Sequence, residues 1–191
     1  MPHEKFDTAK LERLNDPGRF DSLDPVRMWD AIGMPAPREI VEIGAGTGLF
    51  ASSFAALAPD AVVYAADVEP VMVGWMRANR PEVAAGRVVP VLSTETRVPR
   101  DDGIADVAVM INLHHELADP SVTYAEAYRL LRGGGTLLVV DWAPGETEHG
   151  PSQAIRASAE ILAATIEAAG FTAVTVHRRL KWHSMLTGLK P

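Results

Sequence analysis

From Arg38 onward, short apolar runs alternate with longer stretches whose apolar positions recur three and four residues apart, the rhythm of strands alternating with helices. The spacing predicts strands over Glu39–Ile43, Ala61–Ala66, Arg87–Leu92, Ile104–Leu113 and Thr136–Val140. Helices are expected over Thr47–Leu57, Glu69–Asn79 and Asp119–Leu131, the last sharing one face through Tyr124, Tyr128 and Leu131 and stopped by Gly133–Gly135. Ile104–Leu113 is apolar at nearly every position, as expected of a central parallel strand covered on both faces. A Pro- and Gly-rich loop from Trp142 to Pro151 leads into a helix ending at Gly170. Two strands, Thr172–His177 and Lys181–Thr187, then follow around a turn near Arg178 and Arg179. The alternation predicts a doubly wound α/β sheet, in which ligands bind at the carboxyl ends of the strands, near the point where strand order reverses.

Residues 1–37 follow another pattern and are expected to form a helical annex to the main domain, 38–191. Asp7 is placed to cap a short helix carrying Leu11 and Leu14, which ends before Pro17 and Gly18. Asp24 and Pro25 supply an N-cap and a first-turn proline for a second helix, with Val26, Trp29 and Ile32 as its apolar stripe. Gly33 ends it, and Pro35 and Pro37 make a stiff connector.

Composition narrows the chemistry. The 191 residues suit one domain, and 47% hydrophobic with 23% charged residues is ordinary for a globular chain. Eighteen Lys and Arg against 25 Asp and Glu give a net charge of −7, which disfavours a coat for nucleic acid or an anionic membrane surface. The absence of cysteine excludes disulfides, zinc–thiolate and iron–sulfur sites and thiol nucleophiles. The charged start lacks a signal peptide's apolar stretch, and no run reaches the ~18 apolar residues of a membrane span. A cytoplasmic protein is expected; its oligomeric state is not written in the sequence.

The most informative stretch is Glu42-Ile43-Gly44-Ala45-Gly46-Thr47-Gly48-Leu49, between a strand and a helix. Gly44 permits a tight turn, and Gly46 lets the backbone approach a ligand with no Cβ in the way. A dinucleotide fingerprint would place its third glycine at Leu49, whereas here it falls at Gly48, giving Gly-x-Gly-x-Gly; no Gly-Lys-Ser/Thr follows for a phosphate loop. An NAD-dependent oxidoreductase is therefore disfavoured. Glu42, two positions before the first glycine, suits a ligand carrying ammonium and sulfonium charge better than a pyrophosphate. Asp67, about twenty residues further at a strand end, is placed to accept ribose hydroxyls.

These residues resemble the class I S-adenosylmethionine-dependent methyltransferases, in particular the small methyltransferase-11 type, whose Rossmann-like seven-stranded sheet has an antiparallel last strand. Glu42–Gly48 is similar to that family's first motif and Tyr64–Pro70 to its second. Val98–Gly103 with Ala105-Asp106-Val107, Leu113–Leu117, and Glu126–Gly135 are similar to later landmarks, and Ala168–Phe171 with two strands to its ending. The resemblance covers nearly the whole chain. It implies S-adenosyl-L-methionine as cofactor, S-adenosyl-L-homocysteine as product, and a binding site built from Glu42, Gly44, Ala45, Gly46, Gly48, Asp67, Val68 and Asn112. Val68 would pack on the adenine, and Thr94 and Glu95 would receive its amino group. The family usually carries an aspartate where Thr94 stands, which leaves that role to Glu95 or to the threonine hydroxyl.

Methyl transfer from a sulfonium is an in-line displacement with an activated leaving group, so holding acceptor and methyl in line supplies much of the catalysis. A base is needed only where the acceptor must lose a proton. Adjacent histidines on extended backbone face opposite ways, so at most one of His114 and His115 faces the pocket, and His115 is the candidate base. His114, Asp141, Trp142 and Phe20 are candidate acceptor-lining residues, although Phe20 and Trp29 also suit packing of the annex onto the core. No ligand spacing for a metal is present. His3, His177 and His183 read as ordinary surface or strand residues. The family's base-methylating members carry Asn-Pro-Pro-aromatic where this chain has Asn112-Leu113-His114-His115, which points to a small-molecule acceptor and away from DNA. The competing reading is a protein that binds the same cofactor without transferring methyl groups.

Overall fold

The computed structural model describes residues 8–191; Asp7, expected to cap the first helix, and His3 lie outside them. Two short helices open the chain, α1 (Thr8–Leu14) and α2 (Pro25–Ile32), joined by a 3-10 turn over Pro17–Asp21. Asp24 caps α2 by accepting from the backbone N–H of Val26 at 2.9 Å, and Gly33 closes the helix with φ +65°. The buried stripe of α2 is Met28 and Ile32, with Trp29 against Phe54, rather than the expected Val26, which is half exposed.

The rest alternates as expected: β1 (Glu39–Ile43), α3 (Leu49–Leu57), β2 (Val62–Asp67), α4 (Pro70–Asn79), α5 (Pro81–Ala84), β3 (Val88–Leu92), β4 (Ala105–Ile111), α6 (Pro120–Leu130), β5 (Leu131–Trp142), α7 (Ala159–Ala168), β6 (Thr172–His177) and β7 (His183–Leu189). The seven strands form one sheet in the order β3-β2-β1-β4-β5-β7-β6. Six run parallel, and β7 is antiparallel to both neighbours. Strand order reverses between β1 and β4, the crevice where such sheets take their ligands. Among the described residues no helix is long and apolar enough to cross a membrane.

Alternation along the strands builds two cores. Ile40, Val107, Val109, Leu138 and Val140 face α2, α3 and α4 through Met28, Phe54 and Met76. Val41, Ala108, Met110, Leu137 and Val139 face α6 and α7 through Tyr124, Leu130, Leu162 and Ile166. From Val107 onward β4 is buried on both faces, which is why that part of its sequence is wholly apolar.

Three expectations shift. The helix after the glycine loop starts at Leu49, not Thr47, because Gly44, Gly46 and Gly48 all take left-handed φ (+76°, +55°, +70°) that an α-helix cannot contain. The run Gly133–Gly135 does not end α6, which stops at Leu130 and passes directly into β5. The glycines instead carry an irregularity, where pairing with β4 jumps from Ala105↔Leu131 to Val107↔Thr136. A Cβ on Gly135 would lie 2.9 Å from the Arg132 carbonyl oxygen, so only glycine fits that approach. The final strand begins at His183 rather than Lys181, and this places a histidine at the end of the β5–β7 ladder.

Candidate functional site

The turn after β1 is fixed from β2. The backbone N–H groups of Gly44 and Ala45 both donate to the Ala66 carbonyl at 2.9 Å, and the Gly46 N–H donates to Asp67 Oδ2 at 2.7 Å. Asp67 Oδ1 accepts from the Glu69 N–H at 2.9 Å, so this carboxylate secures the loop and the entry to α4 together. On the other side, Arg80 Nε donates to the Thr47 carbonyl at 2.8 Å while its Nη2 reaches Asn15 Oδ1, tying the loop to the annex. Among the described residues a Cβ on Gly46 would meet only Leu14 Cδ1, at 3.6 Å, whereas one on Gly48 would run into Met76.

Glu42 lies under the loop, 1% exposed, and its Oε2 has no hydrogen-bond partner among the described residues. Burial pushes its carboxyl up to about 8; the Arg19 guanidinium and the Ala51 backbone N–H pull down, and Asp67 pushes further up. Arg19 comes from the annex, donates to the Leu14 carbonyl at 2.8 Å and lies 5.0 Å over the Phe50 ring. Two further buried oxygens near the strand ends, Thr47 Oγ1 and Asn112 Oδ1, lack partners among the described residues. Asn112 follows β4 with φ +54°, its N–H on the Val140 carbonyl at 2.8 Å. Unmatched buried polar atoms are rare in folded chains and mark places where a ligand or water completes the set.

These residues fit the cofactor implied by the sequence. A buried carboxylate with a free oxygen is what an ammonium or sulfonium cation needs, and the loop leaves backbone, not side chain, on the open side. At the far end Val68 is 45% exposed at the carboxyl end of β2. Beside it a cavity of about 360 Å³ is lined by Leu92, Ser93, Thr94, Arg97 and Pro99. Thr94 is engaged in a turn there, its Oγ1 accepting from the Arg97 N–H at 3.0 Å, and Glu95 is exposed.

Beyond β4 and β5 lies a second cluster. His114–Glu116 form a 3-10 turn, not extended backbone, yet the two histidines still diverge. His114 Nδ1 is 3.0 Å from the Tyr124 hydroxyl, and burial holds this imidazole below its ordinary value. His115 Nδ1 is 2.8 Å from Asp141 Oδ1, with both side chains nearly inaccessible. Burial alone would lower the His115 imidazole; the hydrogen bond and charge of Asp141, with Glu116, outweigh it and hold it above its ordinary value. Asp141 Oδ1 also accepts from the Trp142 N–H at 2.8 Å, while Oδ2 is buried without a partner among the described residues.

Phe20 packs edge-on against Phe50 at 5.7 Å, the packing arrangement the sequence allowed for it. It also lines a cavity of about 310 Å³ with Asp24, Arg27, Arg179 and Leu180, between the annex and the β6–β7 connection. Sequence reasoning missed Arg19, Arg156 and His183. Arg19 and Arg156 carried no motif. His183 was passed over as a strand residue, but it is 5% exposed and lies against Trp142 with ring centroids 4.2 Å apart and planes tilted by 42°, and among the described residues both its ring nitrogens lack partners. His177 is a satisfied strand histidine, 2.8 Å from Thr187 Oγ1. Among the described residues no group of side chains is arranged to hold a metal ion.

Comparison with known proteins agrees with this geometry. A methyltransferase domain family of the methyltransferase-11 type matches residues 41–139. A demethylmenaquinone methyltransferase of Thermus thermophilus is 33% identical over 110 residues, 57% of this chain and 49% of that one. An uncharacterized methyltransferase of a Mycobacterium species is 28% identical over 148 residues, 69% of this chain and 56% of the other. The match thus spans about half the length of these curated relatives. The crystal structure of a SAM-dependent methyltransferase from Aquifex aeolicus superposes with a TM-score of 0.86, at 25% identity, over 98% of this chain and all of that one. With the glycine loop, sheet order and matched segment in agreement, the chain belongs to the methyltransferase-11 type of the class I S-adenosylmethionine-dependent methyltransferase family.

Proposed function

We propose that this protein transfers the methyl group of S-adenosylmethionine to a small organic acceptor bound over the carboxyl ends of β4 and β5. The observation that carries the reading is Glu42: a fully buried carboxylate with an unmatched oxygen, directly beneath a glycine loop whose open side is backbone. When bound, the cofactor supplies a methyl group already activated on a sulfonium. Glu42 balances the cation, and Arg19, held nearby by the annex, takes the carboxylate at the same end. Asp67, which holds the loop and the entry to α4, is the acidic side chain at the end of β2 for the ribose hydroxyls. Val68, Thr94 and Glu95 flank the adenine, and the Asn112 Oδ1 completes the pocket at the β4 end.

On the acceptor side, His115 is the proton acceptor and Asp141 positions it. With Nδ1–H donated to Asp141, the lone pair stands on Nε2, the atom left to receive a proton from an acceptor hydroxyl, amine or carbon acid. Charge on the imidazolium that results is balanced by Asp141. His114, bonded to Tyr124, shapes the neighbouring wall, and Trp142 and the annex around Phe20 enclose the pocket. Residues 8–37 act as a lid: Asn15 accepts from Arg80, which holds the Thr47 carbonyl of the glycine loop, and Arg19 lies over Phe50 of α3.

Calorimetric titration with S-adenosylmethionine, S-adenosylhomocysteine and NAD tests the cofactor; micromolar binding of the first two without the third is expected, and binding of NAD alone overturns the reading. A screen for methyl transfer, headed by demethylmenaquinone because the Thermus relative is named for it, separates an enzyme from a protein that only binds the cofactor.

A further inference from the structure

The cavity of about 310 Å³ between the annex and the β6–β7 connection has no part in the methyl-transfer reading. Small-molecule sites begin at about this size. β7 runs back against β6, so the connection stands where β6 ends, at the carboxyl edge of the sheet where such folds take ligands. Phe20, on the annex wall, packs on Phe50 beside Arg19. Leu180 and Lys181, on the opposite wall, adjoin Trp182, whose carbonyl accepts from the Ala143 N–H at 3.0 Å directly after Trp142. The cavity therefore neighbours the lid on one side and the loop after β5 on the other.

Its charge is uneven. The connection reads Arg178-Arg179-Leu180-Lys181-Trp182, three cations in five residues with no acid, in a chain of net charge −7. Arg27 and Asp24 of the lining answer each other. Arg27 Nε lies 3.3 Å from Asp24 Oδ2, while Asp24 Oδ1 caps α2. Arg27 Nη1 donates to the Arg179 carbonyl at 2.6 Å, which pins the connection to the annex. The side chains of Arg179 and Lys181 are exposed, and among the described residues neither forms an ion pair. Lys181 Nζ rests 4.6 Å over the Trp182 ring. On the annex side Asp21 is exposed and likewise forms no ion pair among the described residues. What faces an incoming ligand is two cations from the connection, one carboxylate from the annex, and apolar walls at Phe20 and Leu180. An ammonium would meet one attraction and two repulsions; a carboxylate meets the reverse.

We propose that this cavity is a binding site for an organic anion, a carboxylate on an apolar body, with Arg179 and Lys181 holding the charge and Phe20 and Leu180 the body. Two sources supply such a ligand: the far end of the methyl acceptor, or a separate small molecule bound beside the lid. The first rests on the methyltransferase reading; the second stands without it.

The test titrates 2-naphthoate, its uncharged isostere 2-naphthamide, and 2-naphthylmethylamine into the full chain, with and without S-adenosylhomocysteine. Wild type is expected to prefer the carboxylate to the amide by about five- to tenfold, the combined effect of two exposed cations, and the amine least. Salt should shrink that preference. Nuclear Overhauser contacts should join the naphthyl protons to Phe20 and Leu180. Replacing both cations, R179A with K181A, should erase the preference and leave S-adenosylhomocysteine binding as in wild type. Both side chains are exposed, and the Arg179 carbonyl that Arg27 holds is backbone, so the fold survives the change. D21N should leave naphthoate binding unchanged or tighter by up to about threefold, because a repelling charge is gone. A wild type without the preference, a double variant that retains it, a bound probe without contacts to Leu180, or weaker naphthoate binding in D21N each overturns the proposal. Inhibition kinetics separate the sources: naphthoate competes with an acceptor that occupies the cavity and is noncompetitive toward one that does not. Failure of S-adenosylhomocysteine to bind would strike the cofactor reading and leave the naphthoate result to be read on its own.

Discussion

The His115 imidazole and the Asp141 carboxylate, 26 residues apart in sequence, meet at 2.8 Å between the turn after β4 and the end of β5. The contact depends on parallel pairing of these two strands, with Ile111 opposite Val140, which delivers both segments to the same edge of the sheet. Asp141 thereby fixes which nitrogen of His115 carries the proton and leaves Nε2 as the reacting atom.

A pH profile checks this pair. His115 is held above its ordinary value of 6.5, so the base is protonated at low pH and turnover should rise as pH passes a midpoint above 6.5. The Asp141→Asn change removes what holds the imidazole up, and the midpoint should move down while the plateau falls. His115→Ala should lower kcat by roughly 10²- to 10⁴-fold, the range for a general base, with S-adenosylhomocysteine affinity unchanged. Equal loss of cofactor binding would show that the residue is structural.

Glu42 gives a second pH signature. Its folded-state value of about 8 exceeds the ordinary 4.5, so between those values the folded ligand-free protein keeps a proton that the unfolded chain releases. The group therefore favours the folded state below about 4.5, and that contribution is lost as pH rises through 8. A cation placed against Glu42 demands the ionised form, so ligand binding at pH 7 should release close to one proton, and affinity should climb with pH until about 8. Calorimetry in buffers of different ionisation enthalpy measures the release directly; Glu42→Gln should abolish it.

The glycine loop separates into two functions. At Gly46 a side chain would have room, with Leu14 Cδ1 at 3.6 Å, but it would project into the space proposed for the cofactor and hold φ at +55°. At Gly48 a Cβ would lie 2.8 Å from Met76 Sδ at φ +70°. Both replacements carry a left-handed penalty of about 1–2 kcal/mol. Gly46→Val should thus lower the melting temperature modestly and eliminate S-adenosylhomocysteine binding. Gly48→Ala should destabilise more and weaken binding less. Identical behaviour of the two variants would remove the distinction.

How far the site could be read in advance follows from which interactions are local. The loop Gly44–Gly48, the capping Asp24 and Asp119, and the two-sided burial of β4 are written in adjacent residues, so spacing alone located them. The shared edge of His115, Asp141 and Trp142 was legible only through the doubly wound topology. His183 was not, because its burial depends on the register of an antiparallel strand that begins two residues later than its hydrophobicity suggests. Arg19 and Glu42 face each other across 23 positions with no pattern linking an annex arginine to a strand glutamate. Gly133–Gly135 misled for the opposite reason: the local signal for a helix stop was sound, but the close approach to the Asp106 carbonyl determined it.

Arg156 supplies the last prediction. One guanidinium holds the loop after β5: Nε donates to the Pro151 carbonyl at 3.0 Å, Nη1 to the Gly145 carbonyl at 3.1 Å, and Nη2 to Thr147 Oγ1 at 2.8 Å. Its Cζ lies 5.1 Å over Trp142, and Gly150 passes so close that a Cβ there would be 3.0 Å from both side chains. These acceptors belong to the loop and not to either core, so their loss should free the segment from Ala143 to Ile155 without unfolding the sheet. Arg156→Ala is expected to raise hydrogen exchange and protease cleavage in that segment, with a small change in melting temperature. Trp142 loses the contact above its ring, so the acceptor KM should rise several-fold while S-adenosylhomocysteine affinity stays as in wild type. Arg156→Lys should rescue little of this, because a single ammonium cannot reproduce the fork that reaches Pro151, Gly145 and Thr147 together. Uniformly faster exchange across β4 and β5 in Arg156→Ala would instead show that the arginine supports the domain as a whole.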